Sequence, residues 1–251
     1  MKVILKIDGF DYSGDLSKPT GIGIMLRDGN QNPNCFYAND PEIIPFKEGD
    51  FIGDISAGSP VNFKNVIFNP HGNGTHTECS GHIRDNGLSI GSLLEKYFFT
   101  CRVISLSPIE QNGDLIIGLD FDFNYYNFND IEALVVRTIP NSSDKLTSKY
   151  SGKNPPYFDP VFLTNVNQLG IQHFLTDLPS VDKEIDGGEL SSHRTFWENR
   201  NNDRTRCTIT ELIYVPDHLV DGVYLLELQL MNLDLDAAPS RPVLYSLRKM
   251  C

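Results

Sequence analysis

The sequence predicts a mixed α/β fold in one domain spanning residues 1–251, and three observations predict it. Short segments rich in β-branched and aromatic residues recur along the chain. Helical patterns fall between some of them, and one such helix leads at once into a strand. The chain has 251 residues, 40% of them hydrophobic, enough for one large core.

The strand-like segments lie at 3–7, 101–106, 131–138, 171–176, 209–215, 223–231 and 243–247. Up to about Asn69 the chain is loop-rich. A first helix is expected over 89–99, where Ile90, Leu93, Leu94, Tyr97 and Phe98 share one face at three- and four-residue spacing. Asp159 is suited to the N-cap and Pro160 to the first turn of a second helix. That helix is expected to bury Val161, Leu163 and Val166 or their neighbours and to stop at Gly170, where the strand 171–176 begins. A third helix over 189–199 carries His193, Phe196 and Trp197. The polar stretch 140–156, bounded by prolines, reads as a surface loop.

The formal net charge is −12, and so acidic a surface repels phosphate backbones, which argues against a nucleic-acid partner. Solubility is one use of these carboxylates, and metal ligation is another. No stretch reaches the ~20 apolar residues of a membrane helix, so no membrane partner is expected. The apolar run in MKVILKIDGFDY is too short for a signal-peptide core and is interrupted by Asp8 and Asp11. Cys35, Cys79, Cys101, Cys207 and Cys251 are scattered without CxxC spacing, which fits free thiols and a cytoplasmic location.

The chemistry concentrates in HGNGTHTECSGH. Three of the six histidines, His71, His76 and His82, fall within these twelve residues, with Glu78 between them. His76 and Glu78 are two apart, so on an extended segment they share one face. Imidazole and carboxylate donors suit zinc or manganese. Gly72 and Gly74 let the backbone turn around an ion, and Ser80 and Gly81 leave space around His82. On spacing alone, both metal ligation and ordinary structural histidines stay open.

The stretch Gly74-Thr75-His76-x-Glu78-x-x-x-His82 resembles the HxGTHxDxPxH signature of the cyclase family of metal-dependent hydrolases, which includes kynurenine formamidases and isatin hydrolases. Further matches follow in chain order: Asp15-Leu16-Ser17-Lys18-Pro19, Val136-Arg137-Thr138, the segment GIQHFLTDLPSVD at 170–182, Ser192-His193-Arg194, and Glu211 in ITELIYVPDHLVDG. The tail, GVYLLELQLMNLDLDAAPSRPVLYSL, resembles the closing strands and small-residue turn of that family. Three departures are visible. His71 lies five residues before His76 where the family has four, Glu78 replaces aspartate, and Ser80 replaces proline.

The resemblance implies a mixed, β-barrel-like sheet core flanked by helices, and a homodimer or homotetramer. It implies one or two divalent ions, zinc first and manganese second, held by His71, His76, Glu78, His193 and Glu211. It implies His82 as general acid/base acting on a small-molecule amide, with N-formylkynurenine as the family's best-known substrate. A lactone or cyclic-amide hydrolase using the same site is the alternative, as is a family member that binds a metal or ligand without efficient catalysis. The extra residue between His71 and His76 is expected to form a bulge at Gly72-Asn73. Asp177 and Asp182 are expected either to orient ligands or to cap loops. Cys79 should point away from the ligands, His173 and His218 should be structural or surface residues, and Trp197 should pack in the core.

Overall fold

Residues 133–138 (ALVVRT) carry no side chain suited to water except at the end, and every one of them is buried. Such a strand belongs in the middle of a sheet covered on both faces. The computed structural model describes residues 1–85, 88–198 and 203–250 and places it there. Its principal sheet contains β1 (Lys2–Ile7), β2 (Phe10–Asp15), β3 (Thr20–Gly21), β4 (His76–Glu78), β5 (Phe98–Leu106) and β6 (Ala133–Thr138). It continues with β7 (His173–Thr176), β8 (Thr208–Glu211), β9 (Gly222–Glu227), β10 (Ala237–Pro239) and β11 (Val243–Lys249). The spatial order is β1-β2-β11-β9-β5-β6-β7-β8-β4-β10, with β3 beside β11.

The sheet is mixed. Strands β5, β6, β7 and β8 run parallel, and the strands outside them pair antiparallel. Alternation along β6 sends Leu134 and Val136 to one face and Ala133 and Val135 to the other. On the first face they meet Phe162, Leu163 and Val166 of α2 (Pro160–Gln168) and Phe196 and Trp197 of α3 (Ser191–Trp197). On the second they pack with Phe99, Val103, Leu226 and Leu244.

All seven expected strands are present, with the one at 209–215 ending at Glu211, where Leu212 turns to a positive φ of 53°. Asp159 caps α2 through Val161 N–H as expected. Leu163 and Val166 are buried as expected, together with Phe162, the neighbour of Val161, which is itself 62% exposed. The expected third helix is seen as α3, while Asn199 lies outside the described residues, as does Cys251.

The helix expected over 89–99 does not form. Residues Ile90–Ser92 make a single 3-10 turn, and β5 begins at Phe98. Its backbone is committed elsewhere: Ile90 N–H donates to the Leu235 carbonyl at 2.8 Å and Gly91 N–H to the Leu233 carbonyl at 3.2 Å. A side chain at Gly91 would sit 2.5 Å from the Leu233 carbonyl oxygen, so glycine permits this approach. Long-range pairing has overridden a local helical period.

Burial predicts the response to truncation. Leu134→Ala should lower unfolding free energy by about 2–5 kcal/mol, and Val161→Ala by no more than ~0.5 kcal/mol. Urea unfolding followed by circular dichroism checks both, and equal losses would contradict the assigned faces of β6 and α2.

Candidate metal centre

Strand register assembles the centre from distant parts of the chain. In β4, His76 and Glu78 point to the same face, and β8 lies antiparallel alongside with Glu211 opposite His76. On the other side β10 pairs Ala237 with Glu78, which brings the preceding residue, Asp236, to the same rim. His82 follows in the 3-10 turn Ser80–His82, and α3 delivers His193 from the covering layer.

His71 arrives by a route different from the expected bulge. Residues Pro70–Asn73 form a one-turn helix, α1, capped by the Asn69 side chain accepting from Gly72 N–H at 3.0 Å. Helical rise absorbs the extra residue between His71 and His76. Gly72 is required by close approach, since a Cβ there would lie 2.3 Å from the Ala38 methyl.

All six residues expected at the site are brought together. Glu78 Oε1 lies 2.9 Å from His193 Nε2, and its Oε2 lies 3.2 Å from His71 Nδ1 and 3.9 Å from His82 Nε2. Glu211 Oε2 is 3.5 Å from His76 Nε2, and its Oε1 is 3.8 Å from His193 Nε2. His76, Glu78, His193 and Glu211 are buried, whereas His71 and His82 are partly open.

The surrounding hydrogen bonds fix which atoms face inward. Asp182 accepts from His193 Nδ1 at 2.6 Å, leaving Nε2 to the cluster. The same carboxylate accepts from the backbone N–H groups of Ser192 and His193. Val181 N–H donates to Glu211 Oε1 at 2.9 Å. Asp182 therefore orients a site histidine. Asp177 instead accepts from Thr138 N–H and from Lys145, and touches no histidine of the site.

Asp236 was not foreseen from the sequence. Its Oδ2 lies 3.0 Å from both His71 Nε2 and His82 Nδ1. The only sequence signal was its place just before the small-residue turn 237–241, and only the β4–β10 register converts that into contact.

Electrostatics link the whole cluster. Burial works against charging His71, but hydrogen bonds to Asp236 and Glu78 outweigh it and push its pKa up to about 10. Burial likewise opposes the charge on His193, yet Glu78 and Asp182 raise its pKa well above the ordinary histidine value. Burial would raise Glu78, but His82 and His193 hold it well below the usual carboxylate range. These carboxylates therefore demand positive charge around them.

His76 shows that the demand suits an ion. Its Nδ1 donates to the Gly74 carbonyl at 2.9 Å, which turns Nε2 toward the cluster. That buried Nε2 has no hydrogen-bond partner and faces a carboxylate oxygen of Glu211. A cation between them, bound to Nε2 and to the carboxylate, would satisfy both atoms. Donor atoms of His71, His76 and Glu78 lie within 4.8 Å of one another, as do those of Glu78, His82 and His193, and those of His71, His82 and Asp236. Ligands about 2.0–2.2 Å from a shared zinc ion fall within such a span.

The remaining residues are structural. Cys79 is buried with Ile90, Leu93 and Ala238, away from the ligands, and burial raises its thiol pKa. His173 is buried against Phe99 and Thr208, and His218 is exposed. Trp197 is buried, donates to the Cys207 carbonyl and stacks on His193 at 5.6 Å. Among the described residues no helix is long and apolar enough to cross a membrane.

Several solved structures share this fold. A potential metal-dependent hydrolase with cyclase activity superposes with a TM-score of 0.63 at 16% identity, over 91% of this chain and 97% of that one. A predicted metal-dependent hydrolase from Bacillus stearothermophilus gives 0.63 at 15% identity, over 91% and 98%. Isatin hydrolase A from Ralstonia solanacearum gives 0.64 at 11% identity, over 91% of each chain. Identities this low establish likeness of fold. The family model described as "Putative cyclase" matches residues 15–183, a span holding His71, His76, Glu78, His82 and Asp182. That span is well over half of the sequence, and the chain therefore belongs to the cyclase family.

Proposed function

We propose that this chain is a metal-dependent hydrolase that opens a carbon–nitrogen bond in a small amide, as a kynurenine formamidase does. The observation that carries the reading is the unpartnered, buried His76 Nε2 facing Glu211 inside a cluster of histidines and carboxylates. His76, Glu78, His193, Glu211 and His71 would hold one or two divalent ions, and nitrogen and oxygen donors together suit zinc, with manganese second. Such an ion supplies an acidified water and a polarised substrate carbonyl.

The chain's own residues manage the proton. Asp236 accepts from His82 Nδ1, which leaves Nε2 as the basic nitrogen on the cluster side, 3.9 Å from Glu78. His82 is partly open, so a substrate can reach it. It takes a proton from water as the carbonyl is attacked and returns it to the departing nitrogen, which leaves badly as an anion. Asp236 stabilises the imidazolium that forms between these two transfers. Asp182 keeps His193 in the tautomer that presents Nε2 inward. A protein that only stores or senses an ion has no use for the His82–Asp236 pair, which favours catalysis.

A lactone or cyclic amide remains the second reading, because the fold is shared with an isatin hydrolase bound to a product analogue, thioisatinate (TM-score 0.61, 13% identity, 92% of this chain and 94% of that one). The two readings separate in a hydrolysis screen with N-formylkynurenine, isatin and simple lactones.

Two outcomes are expected. His82→Ala should lower kcat by about 100-fold or more while metal content stays at the wild-type level. Wild-type turnover in that variant, on the best substrate of the screen, would exclude His82 as the acid/base. Metal affinity should also depend on pH with a definite sign. Without the ion, His71 and His193 hold protons that binding must displace, so zinc affinity rises from pH 6 to pH 8 and protons are released. Calorimetric titration in buffers of different ionisation enthalpy checks this, and affinity independent of pH would contradict the ligand assignment.

A further inference from the structure

The residue pattern predicts a strand running on to Val215, yet β8 stops at Glu211 because Leu212 turns left-handed at a φ of 53°. Its Cβ makes that conformation unfavourable for leucine. Among the described residues other than glycine, eight have a positive φ, and only Leu212 of these is buried. The others reach solvent at least in part. Backbone of this kind persists only where its surroundings over-determine it.

Two hydrogen bonds hold the turn. Leu212 N–H donates to the Leu178 carbonyl at 3.0 Å. The Leu212 carbonyl accepts from the hydroxyl of Thr75, a buried residue 137 positions earlier. The same hydroxyl oxygen accepts from Ile24 N–H at 2.8 Å, so its donor is spent on Leu212 and it acts as acceptor as well. The backbone of Thr75 is held in turn, its carbonyl accepting from Ser240 N–H at 3.2 Å.

These two residues flank the gap on which the metal centre turns. Thr75 precedes His76 and Leu212 follows Glu211, the pair that lie opposite each other in the β4–β8 register with Nε2 and Oε2 3.5 Å apart. The strand pairing ends at that pair. One residue beyond it, the Thr75 hydroxyl takes over the cross-strand bond. On its other side Glu211 is fixed by Val181 N–H, from the same loop that supplies the Leu178 carbonyl. Glu211 and its left-handed neighbour are thus clamped between the 178–181 loop and Thr75.

We propose that the Thr75 hydroxyl is a tether that sets the width of the His76–Glu211 gap and so positions both residues for one ion. The role in ion binding rests on the metal reading of that gap. Thr75 is a positioning residue, because its hydroxyl bonds to backbone groups and to neither of the two side chains. Without the hydroxyl, Leu212 relaxes towards an ordinary negative φ and carries Glu211 with it.

Thr75→Val keeps the side-chain shape and removes the hydroxyl, whereas Thr75→Ser keeps the hydroxyl. Thr77→Val is the control, since the buried Thr77 hydroxyl pairs with that of Thr210 at 2.7 Å on the opposite face of β4. Zinc affinity of Thr75→Val, measured by competition with a chromophoric chelator, is expected to fall about 10- to 100-fold, with an altered cobalt(II) absorption spectrum. Thr75→Ser and Thr77→Val are expected to bind zinc as the wild type does, although Thr77→Val loses thermal stability. Crystals of metal-free Thr75→Val give a readout that needs no ion: Leu212 should leave the left-handed region, and the His76–Glu211 separation should differ from 3.5 Å. Thr75→Ala is held to the same outcomes if valine prevents folding. Wild-type zinc affinity in Thr75→Val, an equal loss in Thr77→Val, no recovery in Thr75→Ser, or an unmoved Leu212 in metal-free Thr75→Val would each overturn the proposal. A wild-type protein that binds no zinc, joined to a relaxed Leu212 in Thr75→Val, would instead overturn the metal reading and uphold the tether.

Discussion

Two carboxylates, Glu78 and Glu211, are buried on either side of His193, each facing further histidines, and the rest of the structure depends on satisfying them. A buried carboxylate without compensation costs several kcal/mol, and two together cost more. Hydrogen bonds handle part of the cost, through Val181 N–H on Glu211 and the imidazoles on Glu78. Protons on His71 and His193 can handle more. Neither device reaches the gap between His76 Nε2 and Glu211, where the buried nitrogen has no hydrogen-bond partner. A divalent cation satisfies that gap and the remaining negative charge at once.

The sheet makes this concentration of charge possible. Central strands β6 and β7 are entirely buried, so the body of the fold is held by apolar packing and does not rely on the polar cluster. The cluster sits toward the β10 edge, where β8, β4 and β10 pair antiparallel in a fixed register. A slip of one residue in β4 would turn His76 and Glu78 to the opposite face, where Thr77 now bonds to Thr210. Helix α3 then closes one side, with Asp182 holding both its first turn and the ring of His193.

Much of this was legible in the sequence because its signals are local. The strands carry period-two or continuous apolar patterns, and Asp159-Pro160 marks a helix start by its side-chain and φ preferences. The spacing of His76 and Glu78 was enough to put them on one face. What escaped was set by distant partners. The apolar spacing at 89–99 is as good as that of a real helix, but Ile90 and Gly91 spend their amides on the chain around 233–235. His71 reaches the centre by a helical turn in place of a bulge, a choice made by the Asn69 cap and the space beside Ala38. Asp236 had no motif of its own, since its role exists only once β10 pairs with β4.

A cation bound in the His76–Glu211 gap is the central requirement of this site. Crystals of the protein grown with zinc, measured at the zinc absorption edge, should give an anomalous peak in the His76–Glu211 gap. Coordination distances of about 2.0–2.2 Å from His76 Nε2 and a Glu211 oxygen are predicted, with Glu78 or His193 as a further ligand. An anomalous map with no peak there, and with His76 Nε2 bonded only to water, would contradict it.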